Sequence, residues 1–398
     1  MKAVFAFDSF KGSASSASLA GAASEAFLEV FPDAETKCFP VADGGEGSID
    51  AVYLSAGATK IVTAVHDPLM RPLETCYARC KDGSALIEAA AASGLTLLAP
   101  SERNPMKTTS FGTGEQIAAA ISSGCRDITL ALGGTATNDA GIGILSALGY
   151  VFRDSEGNAL VPPGFSGSGN LAATGENLSR IASVDASGAM PGLAQCRFTL
   201  ACDVSTVFYG PDGAAYVFAA QKGATPEDIT LLDKGLRHFS EIIYGTTGKD
   251  ISRIPGSGAA GGICGCLLAF LNATVKPGID MMLDLTGLRK AIADADIIFT
   301  GEGSTDGQTL MGKAVSGICK AAKDSGTEAI VLCGNCGLTA GERRTLGEQG
   351  ATAVFPVQSG PVTLEEAMLE RTVLANVSRT VKEIAMVIKS LQTRHRQH

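Results

Sequence analysis

"KAVFAFDSFKGSASSASLAGAASEAFLEVFP", Lys2 to Pro32, is the stretch whose reading decides the fold. A short apolar run of strand formers breaks into the polar loop DSFKGSASS, then Leu19, Ala23, Ala26, Phe27 and Val30 recur at helical spacing. The serines supply helix N-caps, and Pro32 stops the helix one turn after Phe27. "TKCFPVADGGEGSIDAVYLSAG", Thr36 to Gly57, repeats the logic with a strand over 36–40, a loop of glycine and acid, and a helix from about Gly47. Two strand–loop–helix units in sixty residues predict a parallel sheet.

Outward from these units the texture changes. Residues 60–88 carry β-branched runs broken by Pro and by "KDG", the pattern of antiparallel strands and hairpins, so a domain boundary is placed near residue 60. "DITLALGG" (127–134) is a buried strand running into glycine, followed by a helix in "AGIGILSALGY". Arg153 to Gln195 is rich in Gly, Ser, Pro and Asn and reads as a loop excursion. "DADIIFTGEGSTDGQ", "EAIVLCGN" and "ATAVFPV" restore strands of the first kind, with the helix "GKAVSGICKAAKDSG" among them. A capping box at Thr363 and Glu366 opens a terminal helical segment, Leu364 to Leu391, broken in two. The expected architecture is α/β: one parallel-sheet domain from residues 1–60 and 286–398, with a mixed α/β domain, 61–285, inserted.

Composition narrows the function classes. The chain has 398 residues, 45% hydrophobic and 18% charged, with 48 glycines and no tryptophan. That balance is globular, and the length favours more than one domain. A net charge of −9 is the wrong sign for a nucleic-acid binder. Asp8 and Lys11 interrupt what would be the apolar part of a signal peptide, and no run reaches transmembrane length, so a cytoplasmic enzyme is expected, with no membrane partner. Eleven cysteines fall in no paired zinc pattern and read as buried thiols, and four histidines give little basis for a histidine triad.

In open parallel sheets ligands gather at the carboxyl ends of strands. Here those ends are "FDSFKGS", "VADGGEG", "LGGTATNDAG", "ACDVST" and "FTGEGSTD". Glycine turns make anion cradles, while carboxylates beside them repel bare phosphate, so the mixture makes sense with a divalent cation between. This is the economy of phosphoryl transfer: glycine backbone and cation bind the polyphosphate, and an acid takes the proton of the attacking hydroxyl. Asp43, Glu46, Asn138 and Asp139 also suit plain helix-start positions, and Asp8 suits an Asx turn. Asp203, at the end of an apolar strand, is harder to explain without a partner. "GSGAAG" (256–261) matches a dinucleotide fingerprint in letters, yet Pro255 stands where its strand should end, so it reads as a loop and helix start. "GQTLMGKA" (307–314) matches a Walker loop until Ala314, which lacks the magnesium-binding hydroxyl.

Together "DSFKGS", "PVADGGEGS", "LGGTATNDAGIG", "GPDGAA", "QKGA", "GSGAAGG" and "TGEGSTDGQTLMGK", in this order from residue 8 to 313, resemble the bacterial glycerate kinase family. The resemblance implies a flavodoxin-like domain made from both chain ends, an inserted mixed domain, and transfer of the ATP γ-phosphate to D-glycerate with Mg2+. It also makes "GQTLMGKA" no Walker loop, since the family is not built on that fold. Departures are "CDVST", where Ser205 and Thr206 replace Asn-Pro, Met70 in place of glycine, and Thr135 and Ala140 in place of serine and glycine. None removes an acid.

On this resemblance Asp8 or Asp203 is the expected base, and Ser9, Lys11 and Arg71 are expected to hold the glycerate carboxylate. Gly133, Gly134, Thr135, Asn138, Asp139, Gly258, Gly301 and Lys313 are expected at the nucleotide, and Asp43, Glu46 and Glu302 at Mg2+. The expected product is 2-phosphoglycerate over 3-phosphoglycerate, with a homodimer allowed. The competing readings are a nucleotide or metabolite sensor without catalysis and an NAD-dependent dehydrogenase.

Overall fold

The computed structural model describes residues 1–10, 12–42, 44–45, 47–161, 171–311 and 314–395. Contacts divide the chain into two compact units: Met1–Asp43 with Asp50–Ala56 and Ile279–His398, and Gly44–Ile49 with Gly57–Gly278. The sequence reading put the breaks near residues 60 and 285. What spacing alone did not assign is Gly44–Ile49, which joins the second unit through packing. A Cβ on Gly44 would lie 2.7 Å from Gly278 Cα, and the Ile49 N–H donates to Glu88 Oε1 at 2.7 Å.

The first unit holds a five-stranded sheet in the order Ala351–Pro356, Glu328–Cys336, Ile297–Thr305, Lys2–Phe7, Glu35–Pro40, parallel throughout. Numbered along this unit's chain, the order is 2-1-3-4-5, the flavodoxin-like arrangement, whose switch point lies between the first and third strands. Both faces of the sheet are covered, so its central strands are apolar without alternation. On one face Phe5 and Phe299 stack with ring centroids 5.3 Å apart, and Phe27 of helix Ser16–Val30 meets both edge-on. On the other face Val4, Ala6, Ile298 and Val331 pack against Ile318 of helix Ala314–Ser325. The terminal segment breaks into Leu364–Ala367 and Glu370–His395, the latter packing on Ser16–Val30. One expectation is corrected: "GEGST" is not a loop, because Ile297–Thr305 stays in register with its neighbour to Thr305 opposite Cys336. Glycine in that run disguised a strand.

The second unit has a six-stranded mixed sheet. Thr274–Lys276, Arg197–Ala201, Asp127–Ala131 and Ala85–Glu88 run parallel, and the hairpin of Pro72–Arg79 and Thr59–His66 extends the sheet antiparallel. The expected loop excursion is also corrected, since Val151–Arg153, Ala159–Val161, Leu171–Ala172 and Ser183–Asp185 form a small second sheet. Strands of two or three residues are too short for a period to emerge from sequence. Among the described residues no helix is long and apolar enough to cross a membrane.

Candidate active site

In the first unit a cleft of about 830 Å³ opens at the carboxyl ends of Lys2–Phe7, Ile297–Thr305 and Glu328–Cys336, the switch point of the sheet. Asp8 extends the first strand by one residue, its N–H donating to Gly301 O at 2.9 Å, and its Oδ1 accepts the Ser9 N–H at 2.7 Å. The loop is pinned at its far end by Ser16, whose hydroxyl donates to Phe7 O at 2.6 Å and accepts the Val41 N–H at 2.9 Å. Ser15 caps the helix that follows, accepting the Ser18 N–H at 3.1 Å. Glu302 reaches the cleft from the third strand, with Oε1 accepting the hydroxyl proton of buried Thr309. Thr309 in turn accepts the Asp306 N–H at 3.1 Å. Asp8, Ser9, Glu302 and Asp306 therefore share one cleft, and Val362, Leu364, Met368 and Val373 form an apolar wall in it.

Gly301, expected at the nucleotide, is buried inside its strand, where a Cβ would lie 1.9 Å from Leu332 O. Its glycine is required by the neighbouring strand. Lys11, Asp43, Glu46 and Lys313 lie outside the described residues.

In the second unit the strand ends carry a different set. Gly133 and Gly134 follow Asp127–Ala131 and are exposed, and a Cβ on Gly133 would lie 3.1 Å from Gly45 Cα. Asp203 follows Arg197–Ala201, with Oδ1 accepting the Gly278 N–H at 2.7 Å. Glu88, only 8% exposed, ends Ala85–Glu88 and holds the Ile49 N–H. Glu88 was missed, although the strand-end rule applied to "ALIE" would have found it.

Asp139 is wholly buried. It accepts the Ser110 N–H at 2.7 Å, the Ser110 hydroxyl at 2.8 Å, and the N–H groups of Gly141 and Gly143 at 3.0 and 3.2 Å. Burial pushes its pKa up, and these donors pull against that. The carboxylate expected at the nucleotide is occupied in starting helix Ile142–Ala147. Asn138 beside it is equally buried, and neither polar atom of its side chain has a partner among the described residues. The "GSGAAGG" turn packs on this loop: the Ala140 N–H donates to Gly261 O at 3.0 Å, and a Cβ on Gly261 would sit 2.2 Å from Thr137 O. Gly258 is likewise fixed by packing, since a Cβ there would lie 2.1 Å from Val207 O. Arg71, the expected glycerate anchor, binds Asp67 through Nε at 2.5 Å, Glu102 through Nη1 at 2.7 Å and Leu97 O through Nη2 at 3.2 Å. These contacts hold the turn of its own hairpin. Lys222 was also missed: it is 3% exposed, and its Nζ lies 2.7 Å from Thr137 O and 3.3 Å from Thr135 Oγ1. Nothing in "QKGA" distinguishes a buried lysine from an exposed one.

A flavodoxin-like sheet with acids at its switch point, carrying an inserted unit with glycine turns at its own strand ends, is the build of a small-molecule kinase. The chain belongs to the glycerate kinase family, whose model matches residues 3–389. It is 37% identical over 394 residues to a glycerate kinase of Bacillus subtilis, covering 99% of each chain. It is 37% identical over 389 residues to a glycerate 2-kinase of Escherichia coli, covering 98% of each. A solved structure of a candidate glycerate kinase 2 from Salmonella typhimurium LT2 superposes with a TM-score of 0.85 at 38% identity, covering 99% of both chains.

Proposed function

We propose that this ATP-dependent kinase transfers the γ-phosphate of ATP to D-glycerate, at the 2-hydroxyl in preference to the 3-hydroxyl. The observation that carries the reading is the convergence of Asp8, Ser9, Glu302 and Asp306 on one cleft at the switch point of the first unit. Asp8 is positioned by backbone on both sides and is assigned the proton of the attacking hydroxyl, with Asp203 as the competing base. Ser9 offers a hydroxyl to the substrate. The exposed Gly133 and Gly134 are assigned to the polyphosphate, through backbone N–H groups in a turn that glycine permits at Gly134, where φ is +76°.

The donor set also fits Mg2+. The cleft's acids are hard oxygen ligands, and among the described residues no histidine or thiol lines it. Among the described residues no three acids, histidines or cysteines group as a complete cage. Mg2+ commonly takes only one or two carboxylates, keeping water and substrate phosphates as its other ligands. Glu302 would hold it, with Asp8 beside it, and the ion would neutralise phosphate charge. Thr309 orients Glu302 for that task. We place the reaction in the cytoplasm, in keeping with cysteines that are all unpaired among the described residues.

The test is to incubate the chain with ATP, Mg2+ and D-glycerate, follow ADP release, and identify the product by phosphorus NMR. Glycerate-dependent ADP with 2-phosphoglycerate is expected. 3-Phosphoglycerate as the main product overturns the regiochemistry, and ATP binding without glycerate-dependent ADP release favours the sensor.

A further inference from the structure

We propose that Lys222 is a positioning residue for the nucleotide: a buried ammonium that braces the loop from Gly133 to Asn138 and adds positive potential beneath its exposed glycines. The inference rests on the reading of that loop as the polyphosphate's.

The loop is gripped at two points. From one, the Lys222 Nζ donates to the Thr137 carbonyl at 2.7 Å and to the Thr135 hydroxyl at 3.3 Å. At the other, Asp139 collects the N–H groups of Gly141 and Gly143 and both donors of Ser110. Between the strand and these anchors only Gly133 and Gly134 stand in solvent. Lys222 itself cannot drift. It closes the turn Ala220–Lys222, and Gly223 after it has φ +95° with its Cβ direction filled by Arg103 O, 2.2 Å away.

The chemistry singles out the charge. One carbonyl and one hydroxyl are satisfied by any neutral donor, and burying an ammonium costs several kcal/mol more than burying a hydroxyl. Buried Asp139 acts on the ammonium as an opposite charge and offsets part of that cost, and an anion held at the glycines would repay more of it. In a low-dielectric interior a cation one loop's thickness from exposed N–H groups strengthens their hold on an anion. Asn138 fits the same picture: a buried amide in the same loop, with no partner for either atom among the described residues.

The experiment compares the intact chain with Lys222→Met, Lys222→Arg, Thr135→Val and Gly134→Ala, measuring KM for ATP, KM for D-glycerate, the ADP Kd by calorimetry, and the thermal midpoint. Lys222→Met is expected to raise KM for ATP and the ADP Kd about tenfold or more, with KM for glycerate within about twofold. Lys222→Arg should recover part of the loss, and Thr135→Val should raise KM for ATP about threefold. A folded Lys222→Met with unchanged ADP affinity overturns the proposal, as does an equal rise in both KM values with a lowered midpoint. Should Lys222→Met not fold, unchanged KM for ATP in Thr135→Val overturns it instead. Gly134→Ala separates the two layers: if it also leaves ATP unaffected, the loop's assignment to the nucleotide falls; if it alone weakens ATP, that assignment stands and the role of Lys222 falls.

Discussion

At the cleft of the first unit Asp8 and Glu302 stand half-buried, whereas Asp139 of the second unit lies wholly inside with donors on both oxygens. All are acids just after or within the end of a parallel strand, or at the helix start that follows one. Placement alone does not separate chemistry from scaffolding. What separates them is surroundings: Asp8 and Glu302 face a cleft, while Asp139 is enclosed by the donors of a loop and a helix start. An acid that accepts from helix N–H groups has a structural task; one that faces a cleft of nucleotide size still has capacity for a ligand.

That contrast is sharpened most by exchanging the two kinds of acid. Asp8→Asn and Glu302→Gln should lower turnover by about 10²- to 10⁴-fold while leaving unfolding free energy within about 0.5 kcal/mol of wild type. Near-normal turnover in both variants breaks the comparison at its functional end. Asp139→Ala should do the reverse: urea titration is expected to give a loss of about 3 kcal/mol or more, because each stranded buried donor costs about 1–3 kcal/mol. A stable Asp139→Ala protein with impaired ATP binding would return that residue to the ligand.

The smallest effect is one of pH. Burial pulls the pKa of Lys222 down to about 8 from 10.5, with Asp139 as the charge acting against that fall. Between those values the unfolded chain keeps a proton that the folded chain has shed, so the native state gains stability as pH rises. The stability of wild type relative to Lys222→Met should climb by up to about 1.4 kcal/mol per pH unit between pH 8 and 10 and stay level below 8. A level difference across the whole range would mean that the ammonium is not desolvated.

Much of the first unit was legible because its strands and helices are long enough for their periods to appear in the letters, as in Lys2–Phe7 and Ser16–Val30. Ile297–Thr305 was read short because Gly301 and Gly303 look like loop residues, although the first is demanded by a neighbouring carbonyl. The acids of the cleft were found by the strand-end rule. Burial was not readable, so neither the enclosure of Asp139 nor that of Lys222 could be told from the letters. The ion pairs of Arg71 were unreadable for the same reason, since its partners Asp67 and Glu102 are close in space and only one of them is close in sequence.

The hydroxyl of Ser16 fastens the exit of the first strand to the start of the second strand's outgoing loop. Between those moorings the segment from Asp8 to Ser15 is itself tied down, with Phe10 and Ala14 buried in the core and bridged to each other. A protein engineer wishing to alter what the cleft accepts would therefore exchange single side chains that face it, such as Ser9, and leave the length of the segment alone.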